Sequence, residues 1–440
     1  MNDTLQSSAA RASQHARTAM PVLMAVTVCV GIGAGLGGMC LALLLHFIQH
    51  VAYGYSMHTL MSTQSFLQGV IASSPLRRVA VLLICGGVAG LGWWVVCRFG
   101  KPLISINEAL KSDDPRTPVA TTLANALLQI VTVALGSPLG REGAPREVGA
   151  TWAGWLSHRI GLTAQESRIM VACGAGAGLA AVYNVPLAGT LFVLEVLLGT
   201  FATAAAIPAL LTSVIAATVA WIGLGNDAQY TVPTFELSDS LFAWSILIGP
   251  LFGFAAYGFS RLTAAARARA PRDWRLIPFC LLVFALIGLT AIFYPQLPGN
   301  GKGPIQLGFD DGVSVSLAAT LLILKTLAMV GSLRAGADGG LMTPGMSIGA
   351  MLAIVTGGLW NDAFPGVPLG AFAIVGAAAF LAASMRMPIT AIVMALELTR
   401  VDHNYLFPVL FAVAGSSAAL RICIRRFDTV HAPPIVVHKE

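Results

Sequence analysis

Gly174 to Glu195 reads GAGAGLAAVYNVPLAGTLFVLE, and Gly376 to Glu397 reads GAAAFLAASMRMPITAIVMALE. The two align without a gap at an offset of 202 residues, with nine identities in 22 positions, among them Pro186/Pro388 and Glu195/Glu397. Self-similarity of this kind marks an internal repeat. At nearly the same offset, the glycine turn Gly140-Arg141-Glu142-Gly143 answers to a second, Gly339-Gly340-Leu341-Met342-Thr343-Pro344. Paired glycine turns in a duplicated chain predict two half-helix ends converging on one site. Similarity alone leaves open whether the second half is inverted.

The solvent for this chain is lipid. Of its 440 residues 56% are hydrophobic and only 10% charged, against about a quarter charged in a soluble domain. Fourteen apolar segments run between residues 21 and 422, and many reach the roughly 20 residues that span a bilayer. Others, such as 186–200 and 388–400, are too short to cross about 30 Å at about 1.5 Å per residue. Short segments broken by Gly and Pro predict transporter-like helices ending near the midplane. The expected division is a segment 1–20, a first membrane repeat 21–240, a second 241–424 and a short tail 425–440.

Charge sets the orientation. The net charge of +6 sits in short loops, where the positive-inside rule accounts for it without a nucleic-acid partner. Basic clusters at Arg98–Arg116, Arg261–Arg275 and Arg421–Arg426 read as cytoplasmic. The first 20 residues are polar and carry Arg11 and Arg17. The run after them is too long for a signal-peptide core, so both termini are expected in the cytoplasm of a cell inner membrane. No C-terminal regulatory domain is expected after Arg426. The seven cysteines form no CxxC pair, and no metal or other cofactor is expected. With no HExxH and no GxSxG, an intramembrane enzyme has no machinery to point to, and a purely structural scaffold leaves Glu142 unexplained.

The chemistry concentrates in Gly136 to Ala150, GSPLGREGAPREVGA. A glycine turn entering a helix leaves backbone N–H groups free along the positive end of the helix dipole, an anion site made of backbone. Glu142 is itself an anion and is expected to sit on that site. A carboxylate that occupies an anion's place and leaves it when protonated is a gate. An ionisable residue in a membrane core costs about 2.5–3.5 kcal/mol on insertion scales, which favours function over accident.

These stretches resemble the CLC family of chloride channels and chloride/proton exchangers, from about residue 21 to 431. The pieces are GREG at 140–143, GAGAGLAAVYNVPLAG at 174–189, GADGGLMTP at 336–344 and LAASMRMPIT at 381–390. The likeness is greatest to the shorter bacterial branch. The resemblance implies an all-α polytopic membrane fold of two inverted repeats with tilted, broken helices, and a homodimer with one ion pathway per subunit. It places Glu142 at the gating and proton-carrying position. Backbone amides of Arg141 and Gly143 would face the external anion site. Leu341 and Met342 would hold the central chloride. For the dimer, the short helices 186–200 and 388–415 are the expected interface.

Three positions depart from the family pattern. The pore serine loop falls on Gly100-Lys101-Pro102-Leu103-Ile104, which puts Lys101 in the serine slot, with Ser105 too late in register to fill it. The pore tyrosine falls near His431, whose N–H would donate to chloride in that place. Exchangers often carry a glutamate one residue after Glu195, and here that residue is Val196. Chloride transport, with other small anions, is therefore the expected function. A proton-coupled antiporter and a passive channel both stay open, and a fluoride-selective exchanger is a lesser alternative. Arg146 and Glu147, just past the gate, read as an internal ion pair or network, and Asp338 as a turn carboxylate.

Overall fold

The computed structural model describes residues 18–55 and 65–428, and in these the fold is all helix. The first half holds α1 (Met20–Tyr53), α2 (Phe66–Ala72), α3 (Pro75–Phe99), α4 (Ile106–Lys111), α5 (Val119–Ala134), α6 (Gly143–Ile160), α7 (Ala164–Tyr183), α8 (Pro186–Leu191) and α9 (Thr203–Leu224). The second holds α10 (Asp239–Ala268), α11 (Leu276–Phe293), α12 (Lys302–Phe309), α13 (Val315–Ala335), α14 (Met342–Ala363), α15 (Leu369–Met385), α16 (Pro388–Thr399) and α17 (Leu406–Cys423). Among the described residues, eight helical stretches are long and apolar enough to cross a membrane. Helices α8 and α16 have only six and 12 residues, too few to cross a bilayer. A π-helical turn, Phe192–Leu198, continues α8.

The repeat seen in the sequence is reproduced in backbone detail. Helix α7 ends on Asn184 and α15 on Arg386, both left-handed at φ 55. The next residues, Val185 and Met387, share one conformation, at φ −130, ψ 66 and φ −134, ψ 65. Pro186 and Pro388 then open α8 and α16, where a missing N–H is no loss. Packing repeats too. A Cβ on Gly149 would strike the Gly174 carbonyl, and one on Gly349 the Gly376 carbonyl. Both crossings, α6 on α7 and α14 on α15, thus bring backbones together as small residues allow in membranes.

The two halves hold each other by exchange. Glu195 accepts the N–H groups of Ile389 (3.0 Å) and Thr390 (2.7 Å) at the start of α16. Glu397 accepts those of Leu187 (3.0 Å) and Ala188 (2.7 Å) at the start of α8. Each carboxylate caps the opposite half's short helix, meeting unpaired amides and the positive end of its dipole. Such swapped contacts are what a two-fold relation between the halves requires. Glu397→Ala is expected to lower stability by about 0.5–2 kcal/mol, the cost of losing a helix cap. Thermal unfolding in detergent checks this, and an unchanged melting temperature would contradict the capping role.

Three short helices occupy stretches the hydropathy reading left as loops: α2, α4 and α12. They have seven, six and eight residues, too few for a period to show. Helices α2 and α4 each open on a capping box, Ser65/Gln68 and Ser105/Glu108, a signal that was present.

Candidate functional site

The two glycine turns meet. Gly140 donates its N–H to the Gly340 carbonyl at 2.7 Å, and Gly340 returns the bond at 2.9 Å, in an antiparallel pair. Behind the first turn, Gly136 accepts the N–H of Gly299 at 2.8 Å. The buried Lys325 on α13 donates to the carbonyls of Leu297, at 2.8 Å, and Gly299. An intramembrane lysine is thus spent on backbone carbonyls that brace the turn.

Glu142 stands at the N-cap of α6 with helical dihedrals, φ −71 and ψ −18. Its wholly buried carboxylate does not bond to its own first turn. Oε1 instead accepts the N–H of Met342, the first residue of α14, and Oε2 accepts the Tyr183 hydroxyl at 3.3 Å. Glu142 therefore sits on the other half's helix end, not on its own glycine turn as the sequence reading expected. The reason is local. An N-cap residue that bonds its own helix is normally extended, and here the helical dihedrals turn the side chain away while the Gly140–Gly340 pair brings α14 close. Glycines make the room: a Cβ on Gly140 or on Gly340 would run into this carboxylate.

The carboxylate borders a small enclosed cavity whose wall includes Tyr183, Tyr230, Thr343, Met346 and Met394. Tyr183 links both sides, its hydroxyl also 3.2 Å from Thr343 Oγ1. Two cations stand over the tyrosines. The Arg141 guanidinium lies 5.2 Å from the Tyr183 ring centre, and Lys302 Nζ lies 6.0 Å from that of Tyr230. Arg141 is 6% exposed, yet its Nε has no hydrogen-bond partner. A buried donor without an acceptor is costly unless something anionic comes to it.

The expected site residues fall in different places. Glu142 and Met342 are in direct contact, Leu341 is the N-cap of α14, and Gly143 opens α6. Lys101 is exposed just after α3 and lines none of the cavity at Glu142; its backbone N–H donates to Thr121 Oγ1 at 3.1 Å. Ser105 is the exposed N-cap of α4, its hydroxyl engaged with Glu108. His431 lies outside the described residues. Asp338 is a turn carboxylate as read, accepting the N–H of Gly339 at 2.9 Å and pairing with Arg267 at 3.3 Å. The Arg146–Glu147 reading resolves to a network without an ion pair. Arg146 Nε donates to the Glu142 carbonyl at 2.8 Å, and its guanidinium lies over the Phe192 ring, while amide side chains of α5 hold Glu147. Tyr183, Tyr230, Thr343 and Lys302 were not singled out from the sequence. Tyr183 carried a signal, since its repeat mate is Met385 and the polar departure falls at a helix end.

Residues 80–421 match the family described as Voltage gated chloride channel. The Voltage-gated ClC-type chloride channel ClcB of Citrobacter koseri is 31% identical over 389 residues, 86% of this chain and 91% of that one. The H(+)/Cl(-) exchange transporter ClcA of Vibrio vulnificus is 26% identical, covering 93% of this chain and 88% of its own. Among solved structures, a slow cyanobacterial Cl−/H+ antiporter superposes with a TM-score of 0.79 at 22% identity, over 92% of this chain and 95% of that one. The fold, the paired glycine turns around Glu142 and the extent of these matches lead to one conclusion: the chain is a multi-pass membrane protein that belongs to the voltage gated chloride channel family.

Proposed function

We propose that this protein moves chloride across the membrane in exchange for protons, with Glu142 as the movable group that both ions share. The observation that carries the reading is the buried Glu142 carboxylate bonded to the Met342 N–H at the start of α14. A helix end of this kind binds anions. Chloride and the carboxylate therefore compete for one place. The carboxylate leaves a buried amide and a helix dipole most readily as the neutral acid, since an unpaired charge in the membrane core is expensive. Passage of chloride is then tied to proton uptake. The unpartnered Nε of Arg141 adds a donor for an anion approaching past Tyr183.

The sign follows from the competition. Acid neutralises Glu142 and frees the seat, so chloride binding tightens as pH falls and weakens as pH rises. Calorimetric titration with chloride over a pH series checks this; binding indifferent to pH would contradict the shared seat.

One observation favours a passive channel with Glu142 as gate alone. Val196 is apolar, and its neighbour Glu195 is occupied in capping α16. Neither offers a proton site on that side. The basic loops support an inner-membrane orientation with both termini cytoplasmic. Exposed apolar side chains on α8, α16 and α17, such as Leu187, Ile389 and Phe411, support a homodimer across these helices. A monomer on crosslinking in detergent would count against it.

A further inference from the structure

Five residues beyond the gate, Glu147 is a second, half-buried carboxylate on the same helix. It stands about 7.5 Å further along α6 and on another side of the helix. Asn125 Nδ2 donates to it at 3.1 Å and Gln129 Nε2 at 3.1 Å, both from α5. Trp93 Nε1 donates to Asn125 Oδ1 at 2.8 Å, which fixes that amide with its NH2 toward Glu147. The charged groups facing Glu147 are Arg146 on its own helix, which is bonded elsewhere, and Asp338 on the second glycine turn. No cation is committed to it among the described ion pairs. Neutral amides that donate to a carboxylate tolerate its acid form as well, whereas a bonded guanidinium would pin the charge.

A second observation is independent of the carboxylates. Gln129 is 1% exposed, and its Oε1 has no hydrogen-bond partner. That oxygen lies against Gly143, the residue after Glu142, where an added Cβ would strike it. Thr122, 2% exposed and one face with Asn125 and Gln129 at i, i+3 and i+7, has an unpartnered hydroxyl as well. Buried acceptors without donors are rare and call for an occupant. Gln129, which also donates to Glu147, reaches the peptide of the gate. Beyond Glu147, Thr151 and Thr117 hydroxyls meet at 2.9 Å beside the basic loop that ends at Arg116.

We propose that Glu147 is the inner proton site of the transport cycle, handing protons to Glu142 past the free Gln129 oxygen. This rests on the exchange reading above. Glu147 takes up a proton from the side of the basic loop. When the gate carboxylate leaves Met342, the proton passes from the Glu147 acid to the Glu142 carboxylate, and the pair's total charge is unchanged by the transfer. The Gln129 oxygen accepts the O–H that forms between them.

The test uses the full chain in liposomes, with chloride efflux and external pH recorded together. Glu147→Gln keeps size and hydrogen bonding but cannot carry a proton. Chloride efflux is expected to persist, while the protons moved per chloride fall about tenfold or more. Glu147→Asp is expected to restore part of the ratio, which a purely structural role would not do. An unchanged ratio in Glu147→Gln overturns the proposal and leaves the exchange reading standing. A wild type that moves chloride without protons overturns both. Should Glu147→Gln not assemble, Gln129→Leu decides by the same ratio: a fall supports the relay, and no change overturns it.

Discussion

Glutamine at position 142 is expected to abolish proton movement and leave the protein folded. The substitution keeps the length of the side chain and an oxygen for the Met342 N–H, so packing around Tyr183 and the glycine turns is retained. What it removes is the charge and the ability to bind a proton. A neutral amide competes poorly with chloride for a helix end whose attraction is electrostatic. Chloride should therefore bind more tightly and lose its dependence on pH, while proton flux falls by roughly a hundredfold or more. Unfolding should stay within about 1 kcal/mol of wild type, since the Met342 N–H keeps an acceptor and the Tyr183 hydroxyl can donate to Thr343 Oγ1 instead. A pH response that survives in Glu142→Gln would remove Glu142 from the gate.

The second large effect is steric. A Cβ on Gly340 meets the Cγ, Cδ and Oε1 of Glu142 before anything else. Gly340→Ala should therefore push the carboxylate off the Met342 amide, with an overpacking cost of about 1–3 kcal/mol. Chloride flux should lose its pH dependence even though Glu142 is still present. Because the obstruction is that one side chain, Glu142→Ala in the same molecule should recover most of the lost stability. The two changes are then strongly non-additive, the mark of direct contact. Additive losses in melting temperature would mean that Gly340 is constrained by backbone and not by the gate.

These two experiments address a site that was partly legible in the sequence. The repeat could be read because duplication left proline, glycine and glutamate at matching places, and those residues hold the backbone turns at Asn184 and Arg386 and the swapped caps of Glu195 and Glu397. Glu142 was legible for a similar reason, a charge in a glycine turn where the chain is otherwise apolar, whereas Met342 came from the family resemblance. Their contact was not legible. It joins residues 200 positions apart through a pair of backbone hydrogen bonds, which leave no trace in side-chain pattern. Tyr183 carried only the weak signal of a mismatched repeat mate, because an aromatic at the end of an apolar helix reads as packing. The amides of α5 that hold Glu147 were hidden, because Asn125 and Gln129 read as isolated polar residues until α6 is laid against them. Short helices such as α12, which carries Lys302 over the Tyr230 ring, are below the length at which a period can be seen.

The central claim is that chloride and a proton use the same carboxylate in turn. The most direct measurement is chloride efflux from liposomes holding the purified protein, with the chloride gradient outward, no proton gradient at the start, and external pH recorded throughout. The account predicts that outgoing chloride draws protons inward against the gradient that builds, and that Glu142→Gln stops the protons and not the chloride. Chloride leaving with no proton movement would contradict exchange and make Glu142 a gate alone.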